Sequence, residues 1–329
     1  MIISRTPLRM SFFGGGSDLS AYYSEHRGAV VSTALNKYIF VTLNPKFDQG
    51  IRVAYSRTEE VESVDRIEHA LVRSAMNLLR IPGGVEITTV ADIPSRGTGL
   101  GSSSSFTIAL LHALYAHKGQ HVNAERLAAE ACHIEIDICG EPIGKQDQYA
   151  AAFGGFNLIE FLPDERVVVS PIICKKSTKE LLQSNLLLLY TGVTRSASNI
   201  LKDQTDEIKA SRDKRSTLSR MVEICYDVKR EIESNNLDAF GDLLHESWTL
   251  KKGLSSSISN AAIDDAYEIA RRNGARGGKI LGAGGGGFLL LFAPAGRHAA
   301  ICHALPSLRP IEFDFEPCGS QIIFYQPAR

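Results

Sequence analysis

Residues 94–105 (PSRGTGLGSSSS) constrain this chain more than any other stretch. Three glycines alternate at 97, 99 and 101, and four serines then lead into an apolar segment. Glycine takes backbone conformations closed to other residues and lets main-chain amides come close to a ligand. Residues 106–115 (FTIALLHALY) are apolar on nearly every side, which marks a buried helix. The serines therefore stand where a helix N-terminus offers free N–H groups and the positive end of its dipole. This predicts an anion cradle, with a hydroxyl beside it to reach a metal-bound phosphate. The competing reading is a flexible Gly/Ser loop. A Walker A loop is excluded, because no Lys-Ser/Thr pair closes the run.

Strands and helices surround this run. Residues 29–43 and 51–55 carry β-branched and aromatic side chains punctuated by Pro45 and Gly50, and 85–90 reads as the strand that feeds the glycines. Residues 67–79 repeat apolar side chains at helical spacing and stop before Pro82-Gly83-Gly84. Asn123 is placed to cap a helix with Leu127, Ala131, Ile134 and Ile138 on its inner face and Gly140 as its stop. A shorter helix is expected over 145–152 and a hairpin from 156–161 and 166–173. With 329 residues, two lobes are expected, and the boundary is set near Leu181, before a fresh strand at 186–190. The second lobe reads as polar-faced helices over 198–235 (broken within) and 261–273, then a glycine cluster, a strand at 288–292 and a last strand at 321–325.

Composition removes several classes of function. The formal charge is 36 − 37 = −1, without the basic excess of a nucleic-acid binder, so no nucleic-acid partner is expected. At 44% hydrophobic residues the chain is not disordered. No apolar run approaches the roughly 20 residues that cross a bilayer, so no membrane partner is expected. MIISRTPLRM lacks a signal peptide's apolar stretch. The six cysteines form no C-x-x-C pair, which sets aside structural zinc and thioredoxin-like chemistry. A reducing cytoplasm is the expected compartment.

Three further constellations bear on chemistry. Residues 282–287 (GAGGGG) match G-x-G-x-x-G, but FLLLF follows, a strand where a dinucleotide site needs a helix. A glycine turn against a bound phosphate and a plain inter-strand turn remain the two readings. Glu135 precedes GEPIGKQDQ (140–148), so Glu135 and Asp147 stand on successive helices. One carboxylate then suits Mg²⁺ and the other a proton, unless both are simply solvated helix-end charges. In TPLRMSFFGGGSD (6–18), Arg9 lies in an apolar strand, costly unless it meets an anion or carboxylate. Asp18, after three glycines, is placed to hold ligand hydroxyls, and a surface strand with a turn at 14–16 is the alternative.

Together these pieces resemble the GHMP small-molecule kinases over essentially the whole chain. Their second motif, P-x-x-x-G-L-x-S-S, is met by residues 94–103 with one extra residue before Gly99, and 282–287 stands as the third. PLRMSFFGGGSD aligns with the P-G-R-V-N-L-I-G-E-H-T-D of the family's sugar kinases. Glu135, Gly140, Pro142, Gly144, Asp147 and Gln148 reproduce the galactokinase-like Glu followed by G-x-P-x-G-x-x-D-Q.

The resemblance implies a two-lobed α/β fold (α+β lobes), with an N-terminal ATP-binding lobe over 1–180, a ferredoxin-like C-terminal lobe over 181–329, and ATP and Mg²⁺ in the cleft. It implies Asp147 as catalytic base with Arg9 as its partner, and Ser103 and Glu135 as Mg²⁺ ligands. Gly97, Gly99, Leu100, Gly101, Ser102, Ser103 and Ser104 would bind the triphosphate. Gly15 and Gly16 replace a Glu-His pair that helps hold galactose. The combination FFGGGSD, GLGSSSS, GKQDQYAAAFGG, YTGVTRSAS and LGAGGGGF is most similar to the heptose 7-phosphate kinases of that family, which phosphorylate an anomeric hydroxyl. This implies a sugar phosphate partner, met by Asp18, Gly15, Gly16, Gly284, Gly285 and the cations Lys145 and Arg195, with Lys175 and Arg96 as further candidates for its phosphate. The alternatives are a fucokinase- or galactokinase-like sugar-1-kinase and a non-catalytic sugar sensor. A homodimer is left open.

Overall fold

The structure, a computed structural model, describes residues 1–93, 97–194 and 197–327. Its spine is β2 (Gly28–Pro45), an 18-residue strand long enough to carry different partners on its two halves. β1 (Ile2–Phe13) runs antiparallel along most of it. The second half of β2 pairs with β5 (Val85–Ala91), and its first half with β6 (Phe156–Phe161), which continues into β7 (Val167–Pro171). β3 (Ile51–Ala54) lies parallel to β5 and pairs with β4 (Thr58–Val61). The hairpin expected from 156–173 is β6–β7.

Both faces of β1 and β2 are covered. On one side α3 (Ser102–His117) packs against both strands and against α2 (Ala70–Leu78), α4 (Ala124–Cys132) and α5 (Gln146–Phe153). Twelve of its 16 residues are buried, as its all-round apolar sequence requires. From the other side come α8 (Arg212–Glu233) and α9 (Phe240–Lys252) of the second lobe. Phe240 stands edge-on to Phe12 at 5.7 Å and to Phe13 at 5.2 Å, so β1 is held by aromatic contact between the lobes. Each such pair contributes about 0.5–1.5 kcal/mol beyond burial.

The second sheet has the order β11-β8-β10-β9, all antiparallel. Its strands are β8 (Leu186–Tyr190), β9 (Gly277–Ile280), β10 (Phe288–Phe292) and β11 (Arg309–Pro310). Helices α7 (Ala197–Ala210), α8, α9 and α10 (Ala261–Arg272) join β8 to β9, and α11 (His298–Ala304) joins β10 to β11. This is the split β-α-β-β-α-β arrangement of a ferredoxin-like lobe.

Three features depart from the sequence reading. β12 (Phe315–Glu316) and β13 (Gln321–Tyr325) return to the first sheet, on β2 and β1, so the expected span 181–329 is not one continuous lobe. They cover what would otherwise be open edges. Four α-helices went unread: α9 and α11 of the second lobe, the short α1 (Ser20–Tyr23), and α6 (Lys176–Ser184), which straddles the expected boundary. The helix capped by Asn123, whose side chain accepts from the Arg126 N–H, widens into a π-helical stretch over His133–Ile138. The wider turn shifts the inner face: Ile134 and Glu135 are buried, while Ile138, expected inside, is 48% exposed.

No helix among the described residues is long and apolar enough to cross a membrane.

Candidate active site

The glycine run opens α3 as the sequence suggested. Gly97, Gly99 and Gly101 have φ of +67°, +79° and +74°, which only glycine adopts at no cost. Space requires it too: a Cβ on Gly99 would lie 2.3 Å from the Leu281 carbonyl oxygen, and one on Gly101 3.2 Å from Asp147 Oδ2. The first helical bond runs from the Ser105 N–H to the Gly101 carbonyl at 2.9 Å. The amides of Ser102, Ser103 and Ser104 are thus left without helical acceptors, beside a cavity of about 230 Å³. Gly97, Gly99, Gly101 and the three serines line it; Leu100 does not, its side chain being fully buried and its carbonyl accepting the Arg9 N–H at 3.0 Å.

Arg9 and Asp147 face this cradle. The Arg9 guanidinium donates to both carboxylate oxygens of Asp147, Nε to Oδ1 at 2.7 Å and Nη2 to Oδ2 at 2.9 Å, and its Nη1 donates to the Gly99 carbonyl at 2.6 Å. The arginine is 2% exposed, so its charge needs this fork-to-fork partner. The local sequence favours the arrangement: Pro7 offers no N–H, and the β1–β2 register shifts between Pro7 and Leu8, two residues before Arg9.

Glu135 reaches the same cavity from the π-helical stretch. It accepts from Ser104 Oγ and Thr107 Oγ1, each at 2.7 Å, and from the Gln148 amide. All three donors are neutral, and burial pushes its carboxyl up to about 7. A fully buried carboxylate with no cationic partner among the described residues, with the exposed Ser103 hydroxyl lining the same cavity, is a donor set of hard oxygens that suits Mg²⁺. Asp137, two residues on, points away and pairs with His133 at 2.8 Å.

At the other end, Asp18 is buried, accepts the Gly16 N–H at 2.8 Å and has its carboxyl raised by burial. Gly16 lines the cavity. Gly15 does not, but a Cβ there would lie 3.4 Å from Lys251 Nζ. Lys145 is a correction. Its ammonium is paired with the Glu165 carboxylate and lies 4.8 Å over the Tyr23 ring, outside the cavity lining. Lys145 precedes the first residue of α5, and its side chain turns to Glu165 instead of following Asp147 into the cavity. Lys175 also lies elsewhere, its N–H bonded to Asn235 at the start of α6. Gly284 and Gly285 pack on Ile258, with the Gly285 N–H donating to its carbonyl, and Gly282 and Ala283 line the cavity in their place. Arg96 and Arg195 lie outside the described residues.

The sequence reading missed Lys251, Gln204, Gln146 and Glu141, all lining the cavity. Lys251, 4% exposed on α9, donates to the Gly282 carbonyl at 2.7 Å, and burial lowers it to about 8. Folding therefore releases a proton from this lysine between about pH 8 and its ordinary value of 10.5. The unfolded chain binds more protons there, so this group makes stability rise with pH across that window. Measured as unfolding free energy from pH 7 to 10.5, the wild type should gain up to about 3 kcal/mol on Lys251→Met. Parallel curves for the two proteins would show that Lys251 is not held low.

A second cavity of about 600 Å³ adjoins the first, sharing Gly97, Ser102, Ser103, Glu141 and Ala197, and is walled by Tyr55, His69, Phe106 and Ile39.

Comparison with known proteins bears on this geometry. Residues 67–155 match the family described as GHMP kinases N terminal domain, and residues 228–309 the one described as GHMP kinases C terminal. The chain is 32% identical over 306 residues to the D-glycero-alpha-D-manno-heptose 7-phosphate kinase of Campylobacter jejuni, covering 88% of this chain and 89% of that protein. It is 27% identical over 311 residues to the bifunctional fucokinase/GDP-fucose pyrophosphorylase of Arabidopsis thaliana, covering 87% of this chain and 29% of that one. Among solved structures, a D-glycero-D-manno-heptose 1-phosphate kinase from Bacteroides thetaiotaomicron matches with a TM-score of 0.80 and 26% identity over 97% of this chain and 98% of that one.

Proposed function

This chain belongs to the GHMP kinase family and is therefore an ATP-dependent phosphotransferase, and on that premise we propose that its acceptor is the anomeric hydroxyl of D-glycero-D-manno-heptose 7-phosphate. The observation that carries the chemistry is the buried Arg9–Asp147 pair set against the glycine cradle in one cavity. The acceptor assignment is supported by the 32% identity to a heptose 7-phosphate kinase across nearly the whole chain. The product would be the 1,7-bisphosphate, an intermediate toward nucleotide-activated heptose.

In this reading the amides of Ser102–Ser104 and the positive end of α3 take the ATP phosphates, and the base occupies the aromatic-walled second cavity. Asp147 accepts the proton of the sugar hydroxyl as the phosphoryl group transfers, and Arg9 fixes the direction of both carboxylate oxygens. Glu135 and Ser103 would hold Mg²⁺, which neutralises charge on the phosphate oxygens. Asp18 accepts hydrogen bonds from acceptor hydroxyls. That Asp147, Arg9 and Glu135 all line one cavity supports a catalyst over the non-catalytic sensor reading.

ADP release measured across heptose 7-phosphate, L-fucose, D-galactose and D-mannose tests the acceptor. The heptose phosphate should give the highest kcat/KM, and a clear preference for fucose would replace this assignment with the fucokinase-like one. For the metal site, Glu135→Gln should raise the Mg²⁺ needed for half-maximal activity by about tenfold and remove the Mg²⁺-dependent rise in Tm with an ATP analogue bound. If the exposed Asp137→Asn has that effect and Glu135→Gln does not, the ligand is misassigned.

A further inference from the structure

Gln204 has no partner in a place where a polar group needs one. It is fully buried on α7, and neither its Nε2 nor its Oε1 has a hydrogen-bond partner among the described residues. A buried amide left this way is costly, so such groups are normally satisfied by protein, water or ligand. Its surroundings indicate which. Ala197, Leu201 and Gln204 (with Ser198 beside them) line the acceptor cavity at the i, i+4, i+7 spacing of one helix face. Helix α7 is thus the wall that the second lobe presents to Arg9, Gly16, Asp18 and Asp147 of the first.

The amide also has a defined seat. A Cβ on Gly16 would lie 2.2 Å from Gln204 Nε2, and Gly16 has φ of +110°. The space that a side chain at 16 would fill is occupied from the opposite lobe by a group that can both donate and accept. Asp18, whose carboxylate receives the Gly16 N–H, stands at the same turn.

We propose that Gln204 is a specificity-determining residue that grips the acceptor's ring hydroxyls, its Oε1 accepting from one and its Nε2 donating to the same or an adjacent one. This rests on the sugar-acceptor reading above and names the group that discriminates within it. A carboxylate at 18 only accepts, whereas the Gln204 amide carries both a donor and an acceptor and can read a hydroxyl in both directions. Bridging the lobes, it also ties acceptor binding to their apposition.

The test uses the wild type and Gln204→Leu with whichever of heptose 7-phosphate, fucose, galactose and mannose the wild type prefers, together with monodeoxy analogues of that sugar. If the preferred sugar is not the heptose phosphate, the acceptor assignment fails, and the role of Gln204 is still read on the sugar found. Gln204→Leu should raise KM for the acceptor about tenfold or more, leave ATP affinity within about twofold and leave Tm equal or higher, since an unpaired buried amide has been removed. On one deoxy analogue the two proteins should converge. An acceptor KM within about twofold of wild type overturns the proposal. So does a loss that falls equally on every analogue and comes with a lowered Tm, because that is the behaviour of a packing residue.

Discussion

Asp147→Asn should lower kcat by at least about 100-fold, the range for a lost general base, while affinity for an ATP analogue barely changes. The carboxylate lies against the Gly101 backbone, so the group that takes the proton stands at the edge of the phosphate cradle. Asparagine keeps the shape but presents an NH₂ where Arg9 expects an acceptor. One of the two guanidinium bonds at 2.7 and 2.9 Å must then go. Leaving that donor unpaired at a site where Arg9 is buried should cost about 1–3 kcal/mol of stability, visible as a lower Tm. Activity must therefore be compared well below the variant's melting range, with substrate-saturated turnover as the readout. A variant that is folded and retains wild-type turnover removes Asp147 from the mechanism.

What the sequence disclosed of this site follows physical lines. Helix α3 and the glycine run were legible because all-round apolarity and alternating glycines each have few structural solutions. The Asn123 cap was legible because its bond is local, three residues away. Ile138 was misread because a π-helical stretch changes the period on which the helical face was counted, and the same widening turns Glu135 inward. Lys251 was invisible because it is one of two adjacent lysines near a helix end: Lys252 pairs with Asp264 near the surface, and only packing decides that Lys251 goes inside. Gln204 lies in the polar stretch KDQTDEIKA, which reads as a solvated face until α7 is set against the first lobe. Local chemistry was readable, whereas residues brought in by the crossing of lobes were not.

The acceptor's own phosphate should dominate its recognition. We expect kcat/KM for heptose 7-phosphate to exceed that for unphosphorylated heptose by about 100-fold or more. Of the two cationic side chains that line the cavity among the described residues, Arg9 is committed to Asp147 and Gly99, and Lys251 keeps N–H groups to spare beyond its bond to Gly282. Lys145, neutralised by Glu165, drops out of the phosphate site. In sequence Arg96 adjoins Gly97, which lines both cavities, and Arg195 adjoins Thr194, which lines the second, so they carry the expectation that Lys145 loses. Guanidinium suits phosphate through paired bonds, and each charge-assisted bond contributes about 1.5–3 kcal/mol. Two such bonds give about 3–6 kcal/mol, and at 1.36 kcal/mol per factor of ten even the lower end exceeds 100-fold. Arg96→Ala and Arg195→Ala should shrink the ratio by lowering kcat/KM for the phosphorylated sugar alone, since the unphosphorylated one has no second phosphate for a guanidinium to meet. Steady-state kinetics on both sugars decides it. Equal kcat/KM on the two would mean that no cation meets a second phosphate, and the acceptor would then be a neutral sugar held by Asp18 and Gln204.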